Sequence, residues 1–425
     1  MTEFEVVKLA FVGGEDPTEG EPWFQQQISQ EVQVNGSAWK DRVHYVSGFF
    51  AMWEKGEAPT VIQALPDQIN VVSRSDTTTD NWSWALYAQA TADVTEWMSL
   101  TAGLRYTEDK KGAGLVVTDL SGNEPVVQQS GSDSSIFTSW TPAASISLLA
   151  PPDLLDTLSL DHQLAYFSYA RGFRGGGFNA LISVSGGDLL TSFDPETLDS
   201  FEIGFKTIAF DQRLTANLSM FLALYDDIQV TTTRTFQEPD GSLRLEALTL
   251  NAAKATTRGL EFEVLALPLD GLQLTGALGL LDARYDEFIG ISDLTGDPID
   301  RSGQTFDDTP DTTVHLSAQY SLPIDFGQSN WMRGWVTPRI EWYYQAEMHV
   351  LGPELVESIQ EGFSLLHARL SYDFHDDRAQ VALWGKNLTN QVTFDTVANA
   401  TSTLGNVIRY YRPPRTFGGE FSYRF

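Results

Sequence analysis

The chain has 425 residues, of which 57 are acidic and 27 basic, giving a net charge of -30 at neutral pH, and it contains no cysteine. That balance excludes a nucleic-acid partner, because phosphate binding needs a basic footprint, and the cysteine count excludes disulfides and thiol chemistry. No run of about 18 apolar residues occurs, so helical membrane spans are excluded, whereas the half-apolar strands of a membrane barrel are not.

In chain order, Met1 is followed by Thr-Glu-Phe-Glu-Val-Val, without the basic and apolar regions of a signal peptide. Either the protein is cytoplasmic or the sequence lacks its true N-terminus, and the rest of the chain favours the second. A strand is expected over 4–12, followed by a turn-rich stretch. Strands over 23–34 and 42–53 are joined by Asn35-Gly36-Ser37, whose Asn-Gly is a hairpin signal. A long polar link over 54–80 leads to 82–92, and a short one to 98–107. After the link 109–135, the strands 137–149 and 158–171 are joined through Pro151-Pro152.

The same rhythm continues. A Gly-rich link over 172–195 precedes 201–209 and 214–225, which are joined by residues 210–213. In the second of these, Leu214, Ala216, Leu218, Met220, Leu222 and Leu224 alternate with more polar residues, the period of a half-buried strand. Leu260, Phe262 and Val264 alternate with Glu261 and Glu263, and Pro268-Leu269-Asp270-Gly271 turns the chain into 272–280. After the acidic link 286–310 come 314–322, 335–345, 363–374 and 379–388, the last two joined by His375-Asp376-Asp377. The link 389–407 leads to a closing strand in which Phe417, Gly419, Phe421, Tyr423 and Phe425 share one face. The total is about sixteen strands and no helix.

Short and long connections alternate strictly. In an up-and-down meander this puts every long loop at one end, as in outer-membrane barrels, whereas soluble sandwiches mix their loop lengths. Strands of about 10–15 residues also exceed the usual 5–6 of globular sheets. Aromatic residues gather near strand ends, as girdles at headgroup level do: Trp82 with Trp84, Trp97, Trp140, Trp331 with Trp335, Trp342 with Tyr343 and Tyr344, and Tyr410 with Tyr411. Glu202, Lys206, Glu261, Glu263 and Arg369 fall opposite the aliphatic faces; these charges are costly in a dry core and tolerable in a wet lumen. The expected fold is all-β, a transmembrane antiparallel up-and-down barrel.

The segments Tyr169-Ala170-Arg171-Gly172-Phe173-Arg174-Gly175-Gly176-Gly177-Phe178 and Pro195-Glu196-Thr197-Leu198-Asp199-Ser200-Phe201-Glu202-Ile203-Gly204-Phe205-Lys206 resemble the C-terminal barrel of TonB-dependent outer-membrane receptors of the ferric-siderophore type. So do Thr257-Arg258-Gly259-Leu260-Glu261-Phe262-Glu263, Gly385-Lys386-Asn387-Leu388-Thr389-Asn390 and Pro414-Arg415-Thr416-Phe417-Gly418, which follow in the family's order. Phe425 looks like the terminal aromatic read by the barrel-assembly machinery. The resemblance spans 23–425, with 1–22 a partial strand and loop at a truncated N-terminus. The family's signal peptide, TonB-binding box and plug domain are not found here, and about sixteen strands stand against the family's roughly 22.

The resemblance implies a receptor barrel in the outer membrane of a Gram-negative bacterium. Its expected partners are a ferric siderophore or similar ligand, the TonB-ExbB-ExbD complex acting through the missing plug and box, the assembly machinery and outer-membrane lipid. A passive porin-like channel, a surface adhesin and a non-functional fragment remain as alternatives.

No enzyme chemistry or cofactor is expected. The six histidines are scattered without metal-ligand spacing, and only His349 is placed to meet a ligand. Asp226-Asp227, Asp307-Asp308 and Asp376-Asp377 read as solvated turn residues, with bridging cations as the alternative. The run from Arg171 to Gly177 lacks the lysine and following helix of a phosphate loop. It reads as a strand leaving the membrane into a flexible loop, with Arg171 and Arg174 at the lumen mouth. There they are expected to meet an anionic ferric chelate, assisted by the rings of Phe173 and Phe178.

Overall fold

The computed structural model describes residues 9–15, 22–63, 72–120, 124–180, 189–237, 243–292, 297–325, 327, 333–352, 356–374, 378–400 and 406–425. In chain order the strands are β1 (Leu9–Glu15), β2 (Pro22–Ala38), β3 (Val43–Gln63), β4 (Val72–Asp93), β5 (Met98–Asp119), β6 (Val126–Leu149), β7 (Leu160–Arg174), β8 (Gly177–Ala180), β9 (Leu190–Phe193), β10 (Glu196–Ala209), β11 (Leu214–Gln237), β12 (Leu243–Leu269) and β13 (Leu272–Glu287). They continue with β14 (Ile289–Ile291), β15 (Pro298–Asp300), β16 (Thr312–Tyr320), β17 (Leu322–Asp325), β18 (Arg333–Gln345), β19 (Met348–His349), β20 (Ile359–Gln360), β21 (Phe363–Phe374), β22 (Ala379–Lys386), β23 (Phe394–Ala400), β24 (Asn406–Tyr411) and β25 (Thr416–Tyr423).

A 17-stranded antiparallel sheet carries the fold, each strand pairing with its sequence neighbours apart from the small hairpins in the connections. Both β16 and β17 pair with β18, so they are one strand interrupted at Ser321, and the expectation of about sixteen strands holds. Among the described residues β1 pairs with β2 alone and β25 with β22 alone, so the meander has two free edges and no ladder closes it.

Alternation sorts the side chains as expected. Leu86 and Trp140, 52% and 59% exposed, lie on one face with Trp84, Leu104 and Tyr106; this is the apolar, outward side, the one expected to meet lipid. The opposite face is polar: the Tyr166 hydroxyl donates to Glu202, Lys206 lies 5.7 Å from the Tyr166 ring, and Arg105 sits over Phe50 and Tyr87 at 5.8 and 5.7 Å. Close aromatic packing on this face needs glycine: the Tyr166 ring covers Gly204 and the Tyr87 ring covers Gly48.

Several local expectations are corrected. Asn35-Gly36-Ser37 is not a turn; it pairs with Val46, Tyr45 and His44 inside the β2–β3 ladder, and the chain reverses at Trp39, Lys40 and Asp41, all at positive φ. Gly36 serves packing instead, since a Cβ there would meet the Tyr45 hydroxyl at 2.5 Å. Much of the polar links 54–80 and 109–135 is strand, because hydrogen-bonded pairing continues to Gln63 and Asp119, and the strand from Leu214 likewise stays paired to Gln237. A short helix, α1 (Pro152–Leu158), fills the β6–β7 turn; Pro152 at its start has no amide hydrogen to lose, and Ser159 ends it in a left-handed conformation. The aromatic Trp335 points inward, opposite Asp373, and Tyr410 and Tyr411 stand on an outer hairpin. Residues 1–8, Trp331 and His375-Asp376-Asp377 lie outside the described residues.

Gly204→Ala places a methyl against the Tyr166 ring and is expected to destabilise the barrel by about 1–3 kcal/mol. Gly419→Ala, whose new methyl meets Leu383 at 3.6 Å, is expected to be near neutral. Thermal unfolding of both variants in detergent checks the pair.

Candidate functional site

The Gly-rich segment forms the site's centre. Past β7 the chain turns into the hairpin β8–β9, which folds across the mouth at the long-loop end. One side packs on the inner face of β5 and β6: a Cβ on Gly175 would lie 3.1 Å from Asp109, and one on Gly176 would lie 2.7 Å from the Phe137 ring. That close approach explains the glycine run. Leu115 and Val117, on the same inner face, are almost fully buried.

The other side is fastened to β11 and β12. The Asn179 amide donates to the Thr249 carbonyl at 2.9 Å and accepts the Thr249 N–H at 2.8 Å, imitating a strand pair. Gln229 Nε2 donates to the carbonyls of Gly175 and Asp194 at 3.0 and 3.1 Å. Asn251 Nδ2 donates to the carbonyls of Asp194 and Asp227, and its Oδ1 accepts the Asp194 N–H. The expected flexible loop is therefore a pinned crossbar. Sequence reasoning missed Asn179, Gln229 and Asn251, because amide side chains in polar links carry no periodic signal.

The expected ligand residues do not converge. Arg171 shares the outward face with Phe167 and Tyr169, opposite Asp199 and Phe201. It forms a bidentate pair with Asp199 at 3.0 and 2.6 Å, and the Tyr169 hydroxyl donates to the same carboxylate at 2.8 Å. The placement of Arg171 at the lumen mouth is thus corrected, because strand parity turns it away from the lumen; Phe173 shares its face. Arg174 falls on the inner face and is exposed, and Phe178 lies in the crossbar opposite Ser192. Phe425 is fully exposed beyond β25, its ring edge-on to Tyr423 at 5.2 Å.

The other half of the mouth folds as a separate body. Met348 and Val350, from the connection after β18, pack on Phe394 and Val397 of the hairpin β23–β24. Arg409 lies over Phe394 at 4.9 Å and Arg412 over Phe363 at 5.7 Å. The connection after β13 joins this body where the Asp308 N–H donates to the His349 carbonyl at 2.7 Å. His349 Nδ1 is buried without a hydrogen bond, so the ring packs within the loop body. The Asp308 carboxyl is held above its ordinary 3.8 by desolvation and by its neighbours Asp307 and Asp395, with Arg412 opposing. Among the described residues no group of acidic, histidine or cysteine side chains is placed to hold a metal ion.

The sequence matches the family described as TonB dependent receptor-like, beta-barrel, over residues 11–388. The chain belongs to this family. Solved receptor structures share the fold: the ferric yersiniabactin uptake receptor FyuA of Yersinia pestis aligns with a TM-score of 0.72 at 17% identity, over 95% of this chain and 55% of that one. The siderophore receptor PiuA of Acinetobacter baumannii aligns at 0.61 and 16%, over 94% and 56%. The copper transporter OprC aligns at 0.65 and 12%, over 95% and 57%. The chain therefore spans a little over half the length of these structures, and the TonB-dependent receptor barrel accounts for its up-and-down sheet, polar inner face and folded loops. The family is one of receptors rather than enzymes.

Asn179→Ala leaves the Thr249 N–H and carbonyl without their partner, a loss of about 1–3 kcal/mol; hydrogen exchange over 175–180 and 189–195 is expected to accelerate while that of β10 is unchanged. At Asp308 the raised folded-state value means that the neutral acid is favoured in the folded loop body. The joint is therefore expected to tighten as pH falls through that raised value, above 3.8. Asp308→Asn, which tolerates the positive φ of 56°, is expected to hold the joint tight at pH 7 and to flatten the pH dependence of limited proteolysis over 301–311.

Proposed function

We propose that this chain is the barrel part, over 23–425, of a receptor in the outer membrane of a Gram-negative bacterium that takes up a ferric siderophore or a similar scarce nutrient. In that reading residues 1–22 are a partial strand and loop. Family membership supports the reading, and the single structural observation that carries it is the pinned crossbar over a polar lumen. A passive pore needs an open mouth. A gated receptor needs a rigid frame that holds ligand-contact groups over a closed path, and the crossbar fastened by Asn179, Gln229 and Asn251 supplies one.

Ligand contact falls to the groups that face the mouth. Arg174 provides an exposed cation toward an anionic chelate, and Phe178 provides a ring on the crossbar. Arg171 and Phe173, turned outward, instead brace the strand end that carries the crossbar. Energy reaches the site through TonB-ExbB-ExbD acting on a plug in a protein of the family's full length. Phe425, free beyond the last strand, is the contact offered to the barrel-assembly machinery, and lipid surrounds the apolar face.

Uptake of a labelled ferric siderophore by cells lacking their own receptors, and expressing the gene in its native context, tests the proposal. Arg174→Ala and Phe178→Ala are each expected to raise the half-saturating concentration by about tenfold, the factor for one lost charge-assisted or ring contact. Loss of TonB is expected to abolish uptake, and removal of Phe425 to lower the amount of barrel in the membrane. Uptake that persists without TonB would establish a passive channel instead.

A further inference from the structure

The inner wall formed by β18, β21, β22 and β25 carries more cations than its own carboxylates neutralise. Parity sets the face. Ile340, Leu370 and Leu383, 50%, 48% and 62% exposed, point outward, so Arg339, Arg369, Trp384 and Gly418, which lie side by side across the four strands, belong to the inner face. Two residues toward the long-loop end on that face stand Glu341, His367 and Lys386, and two residues toward the short-turn end of β25 stands Glu420. A pocket of about 570 Å³ opens among them. His367 lies four residues along β21 from Phe363, the ring that Arg412 of the mouth covers, so the pocket sits roughly 13 Å below the mouth on the same wall.

Arg339 and Arg369 face each other directly across the ladder, an unfavourable like-charge pair, and each is offset. Arg339 pairs with Glu341; Arg369 Nη1 donates to Glu420 at 3.0 Å and its Nη2 to Gln380 at 3.0 Å. Both carboxylates of the pocket are thereby engaged, and Lys386 has no ion-pair partner among the described residues. Its ammonium stands 5.5 Å from the Trp384 ring, which is seated against Gly418, where a Cβ would overlap it. His367 adds a donor: the Asn387 N–H donates to its Nδ1 at 2.9 Å, so the neutral ring carries its hydrogen on Nε2. Asn387, at positive φ, is itself fixed by bonds from its side-chain amide to the carbonyl and N–H of Gln391. Asp373, further down the face, accepts from Gln380 at 2.6 Å and stands with Arg378 and Arg424 at the short-turn end. The pocket therefore offers one unneutralised ammonium, an imidazole N–H and an indole N–H, the last without a partner among the described residues.

We propose that this pocket holds a carboxylate of the transported ligand as it leaves the mouth, and that the ligand is a chelate of the carboxylate type. The carboxylate takes its charge partner from Lys386 and a hydrogen bond from His367 Nε2, with the Trp384 ring beside it. Two observations choose this occupant. The surplus is one positive charge and a set of N–H donors, which matches a singly charged group with two acceptor oxygens, and the pocket lies on the polar wall just below the mouth. A chelator that commits every oxygen to its metal presents no such group. The inference rests on the uptake reading above and names the class of its ligand.

Calorimetric titration of the purified chain with citrate reads the pocket. The parent is expected to bind citrate and not its neutral trimethyl ester. Affinity is expected to fall about tenfold in Lys386→Gln, to recover in Lys386→Arg, and to be unchanged in Lys206→Gln on the β10 wall. Lys386 is exposed, so Lys386→Gln opens no cavity. A parent that binds no citrate, or a Lys386→Gln variant that binds it as tightly as the parent, would overturn the site. The uptake assay described above then reads the ligand class: the parent is expected to prefer ferric citrate to a ferric trihydroxamate, and Lys386→Gln to lower that preference about tenfold. A parent that takes up the trihydroxamate and not the citrate would overturn the class and leave uptake intact. A parent that takes up neither would overturn the uptake reading and the class together, while the titration still decides the pocket.

Discussion

Peptide groups set the terms for this fold. In hydrocarbon an unpaired N–H or C=O costs several kcal/mol, so the chain must find a hydrogen-bond partner for each strand before any side chain matters. The up-and-down ladder does so with neighbours close in sequence, from β1–β2 through β22–β25. Side-chain alternation follows from the pleat: one face meets lipid, the other water. The exceptions are the outer rims of β1 and β25, which meet no other ladder among the described residues. A sheet with two such rims is a template for further strand pairing, and it is the part of the molecule most sensitive to its surroundings.

What the pleat dictates was legible in the sequence. The strand at 214–225 could be placed to the residue at its start because Leu214 to Leu224 alternate without interruption, and the inward Glu202 and Lys206 could be assigned by parity alone. Strand ends were less legible. Pairing runs on past Trp53 and Thr107 through polar residues such as Lys55, Glu57, Lys110 and Lys111, since beyond the lipid neither face needs to be apolar and the hydropathy pattern fades while the backbone ladder persists. Asn35-Gly36 misled for a related reason: a glycine needed to seat a tyrosine ring has the same spelling as one needed to turn the chain.

The mouth was the least legible part. Parity, applied to Arg171, gives the outward face directly, yet a motif beginning with arginine and ending in glycines invites a ligand-binding reading. Asp199 stands directly across the ladder and pairs with the guanidinium. The residues that do organise the mouth, Asn179, Gln229 and Asn251, act through backbone carbonyls and amides far away in sequence, and no local pattern announces such partners.

The mouth consists of two bodies with different attachments. The crossbar is bolted to the long walls β5–β6 and β11–β12, whereas the loops after β18 and β22 cohere through a small core around Met348 and Phe394, and the loop after β13 seats Phe288 and Phe306 on Ile228 and Ala255 of the β11–β12 wall. The β13 loop reaches both, since Asp308 of the same connection donates to the His349 carbonyl. The two bodies therefore meet on one stretch of wall, where the crossbar's fastening at Gln229 sits between Ile228 and Val230, the seat of the β13 loop, so a displacement of that strand end is felt by both at once.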